Sequence, residues 1–178
     1  MGYAEATSTI HAPVETVWAC LNDIDHTPEW VNGLEAAEIK SAGPYGVGTV
    51  YYDYNRLGPF LQTTLWRITA FEPPSHQVHE SESALLPSKM TLNLSPAPEG
   101  TRLQMVVEYR LLPQLGPVGR FLEALLMNRM LKQVLKQNQA SLNTYLTTKA
   151  HQAWSSRVAD LGTKGRFTTS RDELHERR

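Results

Sequence analysis

Residues 117–146 read PVGRFLEALLMNRMLKQVLKQNQASLNTYL, and this stretch decides the fold. Gly116 and Pro117 mark its start, because proline suits the first helical position, where a backbone N–H has no partner anyway. Val118, Phe121, Leu122, Leu125, Met130, Val134, Leu142 and Tyr145 then recur at mostly three- and four-residue steps, which predicts one apolar stripe on a helix. Glu123, Arg129, Lys132, Lys136 and Asn143 fall largely off it. At a rise of 1.5 Å per residue such a helix spans roughly 45 Å. A rod of that length needs a broad apolar partner, and the preceding hundred or so residues read as a sheet.

Outward from the helix, the strands announce themselves by alternation. Leu103, Met105, Val107 and Tyr109 alternate with Gln104, Val106, Glu108 and Arg110, and Met90, Leu92 and Leu94 alternate with Thr91 and Asn93. Pro96–Gly100 reads as the turn between them. Glu35–Ser41, Thr49–Arg56, Leu61–Phe71 and His76–Ala84 are further strands, separated by Gly43–Gly48, Leu57-Gly58-Pro59, Pro73–Pro74 and Pro87. Strands at this spacing with no helix between them predict an antiparallel meander. Before them, Tyr3–His11 is a first strand. Val14, Val17, Trp18 and Leu21 then make one helical face, and Pro28 opens a second short helical turn that carries Trp30. After Ala153 the apolar stripe gives way to arginines, acids, serines and threonines. The helix would run on toward Leu161, with Gly162 and Gly165 favouring a loop beyond. Ser170 and Glu173 resemble a capping box, though the polar composition equally suits disorder.

Composition narrows the function classes. The length of 178 residues suits one domain, and 41% hydrophobic with 20% charged residues is ordinary for a globular protein. A net charge of −1 gives no reason to expect nucleic acid or an anionic membrane as partner. No apolar run approaches the ~20 residues needed to span a bilayer. The N-terminus lacks a secretory pattern, and the single cysteine, Cys20, rules out an intrachain disulfide, so a cytoplasmic location is expected. Gly43–Gly48 precedes a strand, so it cannot cradle a phosphate at a helix N-terminus.

The order of elements, with IHAPVETVW at 10–18, DIDHTPEW at 23–30, GVGT at 46–49 and WRITAFEPP at 66–74, resembles the helix-grip fold of the START and Bet v 1-like (SRPBCC) superfamily. The likeness is closest to its polyketide cyclase/dehydrase and lipid-transport group and covers roughly residues 3–148. It implies an α+β architecture: a curved antiparallel sheet wrapped around a long C-terminal helix, with two short helices after the first strand. Residues 1–150 would form this ligand-binding domain and 151–178 a charged tail. The resemblance further implies a hollow between sheet and helix that takes a lipid, polyketide or quinone-like molecule, with no metal and no other cofactor. A polyketide aromatase/cyclase is the alternative, and a partner-binding module docking through Pro113–Gly119 and the tail is another.

Candidate ligand contacts are Trp30, Tyr52, Tyr54, Trp66, Met90, Leu92, Leu103, Met105, Val107 and Tyr109, with Phe121, Leu122, Leu125 and Met130 from the helix; the same residues would equally fill a solid core. Candidate catalytic groups are Tyr54, Arg67, Glu108 and Tyr109. An inward Arg67 would hold an enolate or a carbonyl oxygen, but alternation puts Trp66 and Ile68 inward and Arg67 in solvent. Tyr52 and Tyr54 share a face, with Tyr51 on the other. His76 and His79 fall on opposite faces, poor geometry for a metal, and both read as surface residues.

Overall fold

The computed structural model describes residues 2–57, 60–81, 87–110 and 117–164, without the side chains of 57, 60, 117–126 and 157–164. The chain runs β1 (Gly2–Ile10), α1 (Val14–Asn22), a 3₁₀ helix (Ile24–Glu29), β2 (Leu34–Ile39), β3 (Val50–Leu57), β4 (Phe60–Glu72), β5 (His76–Ser81), β6 (Ser88–Ala97), β7 (Gly100–Tyr109) and α2 (Pro117–Lys164). The strands form one antiparallel sheet in the order β1-β7-β6-β5-β4-β3-β2. It is the expected meander, with β1 added beside the last strand. Register shifts at Leu34/Ala36 and Ile68/Ala70 mark irregularities of the kind that bend strands. This curved seven-stranded sheet with its long C-terminal helix is the helix-grip fold.

Met1–Leu146 forms one compact unit and Thr147–Arg178 a second. In the first, Ala4, Ala6 and Ile10 of β1, Leu92 and Leu94 of β6 and Leu103 and Met105 of β7 face a common core. Val17, Trp18 and Leu21 of α1 and Leu135, Leu142 and Leu146 of α2 close over them. In the second unit Trp154 is 63% exposed and stacks on His151, ring centroids 6.2 Å apart. The helix passes Gly162 and reaches Lys164; the expected Ser170–Glu173 cap lies outside the described residues, as do residues 58–59, 82–84 and 113–116 of the expected turns and strand end.

The stripe of α2 needs a correction. Met130 is 52% exposed and Val134 36%, so neither faces the sheet. Leu142 is buried and Tyr145 packs against the core as expected, while the rest of the buried face runs through Leu135, Asn138, Gln139 and Leu146, with Leu131 half-buried beside them. Polar side chains of α2, Gln139 on this face and Asn128 and Asn143 beside it, bond the backbone of β1, of β7 and of His11 just after β1. β1 is an edge strand, and unpaired backbone groups there need partners. Asn128 Oδ1 accepts from Tyr3 N at 3.2 Å, Asn143 Oδ1 accepts from His11 N at 2.8 Å, and Gln139 Nε2 donates to the carbonyls of Ala6 and Leu103 at 3.0 and 3.2 Å. The side chains of Phe121, Leu122 and Leu125 lie outside the described residues.

The β6–β7 turn is tighter than expected. β6 continues through Pro96, which pairs with Thr101, and Gly100 closes the turn at φ 137°. A Cβ there would sit 2.2 Å from the Ile10 carbonyl oxygen and 2.9 Å from Ala12 N. Both obstacles are backbone, so they cannot swing away. Gly100→Ala is therefore expected to lower stability by about 2 kcal/mol or more, read as the midpoint of urea unfolding. An unchanged midpoint would mean that the turn reshapes freely.

Candidate functional site

Between the sheet, the 3₁₀ helix and α2 lies a cavity of about 120 Å³. Leu21, Ile24, Val31 and Leu34 form one wall, Met90, Leu92 and Met105 the sheet floor, and Leu135 and Asn138 the α2 side. The remaining wall is aromatic and polar: Trp30, Tyr51, Asp53, Trp66 and His79. Register explains why these meet. Tyr51 of β3 pairs with Trp66 of β4, and Ile68 of β4 pairs with His79 of β5. Residues two apart on a strand share a face, so Tyr51, Asp53, Trp66, Ile68 and His79 all point to the concave side.

Tyr51 and His79 form the polar centre. They are 3% and 1% exposed, and the Tyr51 hydroxyl lies 2.7 Å from His79 Nδ1. Their rings meet edge to face, with centroids 5.7 Å apart. Burial pushes the His79 pKa down to about 4, so the imidazole is neutral at pH 7. Burial raises the Tyr51 phenol well above its ordinary value, so it keeps its proton. Burial likewise lifts the Asp53 carboxyl to about 7, against a smaller lowering influence of the Trp66 indole beside it. The indole N–H does not reach hydrogen-bonding geometry. A carboxyl at that value exchanges its proton freely near neutrality.

Of the sequence candidates, Trp30, Trp66, Met90, Leu92 and Met105 line the cavity. Leu103 lies in the solid core and Val107 packs against it. Tyr109 is buried but its hydroxyl donates to Asn128 Oδ1 at 2.6 Å, which ties β7 to α2. Tyr52 and Tyr54 sit on the opposite face from Tyr51, where Lys40 Nζ lies 5.8 Å from the Tyr52 ring centroid. Arg67 is exposed, as alternation required, and Glu108 also lies on the outer face, opposite Lys89. Sequence reasoning missed Tyr51, Asp53 and His79. His79 is a correction: it is among the most buried side chains rather than a surface residue, and its partner is Tyr51. The available signal was the pairing of β3 with β4, which sets Tyr51 opposite an inward Trp66.

Among the described residues no cluster of His, Cys, Asp and Glu could hold a metal ion, and no helix is long and apolar enough to cross a membrane. The chain belongs to the family described as polyketide cyclase / dehydrase and lipid transport, which matches residues 1–147. Solved structures share the fold. TTHA0849 from Thermus thermophilus is 20% identical with a TM-score of 0.63, the match covering 80% of this chain and 98% of that one. StfQ, the di-domain aromatase/cyclase of the steffimycin biosynthetic pathway, is 16% identical with a TM-score of 0.70, covering 84% of this chain and 51% of that one. A START superfamily protein from Mycobacterium smegmatis is 14% identical with a TM-score of 0.61, covering 86% and 99%. No curated protein matches the sequence. Family and fold together support a ligand-binding or cyclase role.

Proposed function

We propose that the protein binds an apolar or aromatic small molecule in the cavity between the sheet and α2, using residues within 1–150. The observation that carries this reading is a hollow inside the grip, walled by Leu92, Met105 and Leu135 and edged by Trp30 and Trp66. Affinity would come from apolar burial, worth about 25 cal/mol per Å² before the costs of association. A large side chain placed in the hollow tests it. Met105→Trp is expected to weaken binding of a single-ring aromatic at least about tenfold by calorimetry, a difference of about 1.4 kcal/mol. Circular dichroism should show the fold retained. Unaltered affinity in that variant would move the site elsewhere.

A second reading is a cyclase-type enzyme, favoured by one observation: the Asp53 carboxyl at about 7 stands in the same wall as the neutral His79. Ionised Asp53 would take a proton from carbon next to a ketone, and an N–H donor would steady the enolate oxygen. Catalysed exchange of the methyl protons of acetophenone in heavy water, followed by NMR, supports this reading. Binding without exchange leaves carriage alone.

A further inference from the structure

The cavity wall holds polar atoms that the described residues do not satisfy. Trp30 Nε1 and His79 Nε2 are buried, each without a hydrogen-bond partner among those residues, and both side chains line the hollow. Leaving such a group unmet is costly, so each asks for an explanation. Their chemistry is one-sided. An indole nitrogen can only donate. The Tyr51 hydroxyl keeps its proton and lies 2.7 Å from His79 Nδ1; when the phenol donates, Nδ1 is the acceptor. With Nδ1 accepting, the neutral ring carries its hydrogen on Nε2. The Trp66 N–H, beside Asp53, adds a third donor to the same wall.

We propose that this cavity selects a single-ring ligand bearing a hydrogen-bond-accepting oxygen, a ketone, aldehyde or quinone carbonyl, which takes the N–H groups of His79 and Trp30. The inference rests on the proposed receptor role and specifies its ligand. Size limits the ring count to one: at about 120 Å³ the hollow is somewhat smaller than cavities of roughly 150 Å³ known to hold benzene, so its walls must give slightly to take a ring with a substituent. Donors set the polarity: a hydrocarbon would leave the N–H groups of His79 and Trp30 unmet. Tyr51 is a positioning residue that acts by holding the His79 tautomer.

The test compares two molecules of nearly the same shape, acetophenone and α-methylstyrene, in which a carbonyl oxygen is exchanged for a methylene. Calorimetric titration of the unaltered protein is expected to show acetophenone at least about tenfold tighter, although the hydrocarbon is the more apolar of the two. His79→Phe should cut that preference several-fold, the Trp30 N–H remaining, while the protein still binds both. Tyr51→Phe should reduce it several-fold, and ¹⁵N NMR of the unaltered protein should report hydrogen on His79 Nε2. Equal affinity for the two probes in the unaltered protein, or hydrogen on Nδ1, overturns the donor assignment and leaves the receptor role standing. Failure to bind either probe overturns both.

Discussion

Asp53→Asn should make the protein more stable at neutral pH, by roughly 2–4 kcal/mol. The Asp53 carboxyl titrates at about 7 in the folded chain against an ordinary 3.8. A group whose value is raised on folding adds full stability only below its unfolded value, and that contribution is lost as pH climbs through the folded one. At pH 7 the unfolded carboxylate has long been ionised, whereas the folded one is still resisted by burial. Each pH unit between the two values is worth about 1.36 kcal/mol, which caps the effect near 4 kcal/mol. Partial solvent access to Asp53 brings it below that cap. Asparagine removes the charge that must be buried and keeps the shape.

His79 acts in the opposite sense. Its value is about 4 in the fold against an ordinary 6.5. Its contribution is therefore present above 6.5 and lost as pH falls toward 4, a change of about 3 kcal/mol at most. In the unaltered protein the two slopes overlap between about 4 and 6.5 and largely cancel. In Asp53→Asn the histidine slope stands alone, so the variant should lose stability on acidification where the parent barely changes. Urea unfolding across this range measures both curves. Parallel curves would mean that Asp53 is ionised and solvated in the fold.

Leu142→Ala should cost about 3 kcal/mol or more. Leu142 is fully buried where α2 meets the concave face, in the cluster that includes Val17, Trp18 and Leu103. Truncation there removes transfer energy and leaves a void that a sheet cannot easily fill. Met130→Ala on the same helix is the control. An exposed position of this kind should move stability by less than about 0.5 kcal/mol. If the two costs were equal or reversed, the helix would present a different face to the sheet.

That control also marks how far the sequence could be read. The meander from β2 to β7, the long helix and its start at Pro117 were legible, because alternation, glycine–proline turns and a proline at the first helical position each have a local cause; the pairing of β1 with β7 had no such local signal. The face of α2 was not. Hydrophobicity alone drew the stripe through Met130 and Val134, but Asn138 and Gln139 hold buried positions because an edge strand and a neighbouring loop need donors and acceptors from the helix. A polar residue that completes another element's backbone looks like a solvent residue until the contact is known. The site followed the same rule. Trp30, Trp66 and Met105 were found by their apolar character. Tyr51 was hidden among three tyrosines whose parity depends on the pairing with β4, and His79 by a partner 28 residues away.

The central claim is that the space inside the grip receives a small molecule. The most direct test is an NMR titration with acetophenone in which the methyl groups of Ile24, Met90, Leu92, Met105 and Leu135 are observed together. The account predicts shifts concentrated on these five, with Leu61 and Val47 on the exterior unmoved. Shifts confined to exterior methyls, or none at saturating ligand, would contradict it.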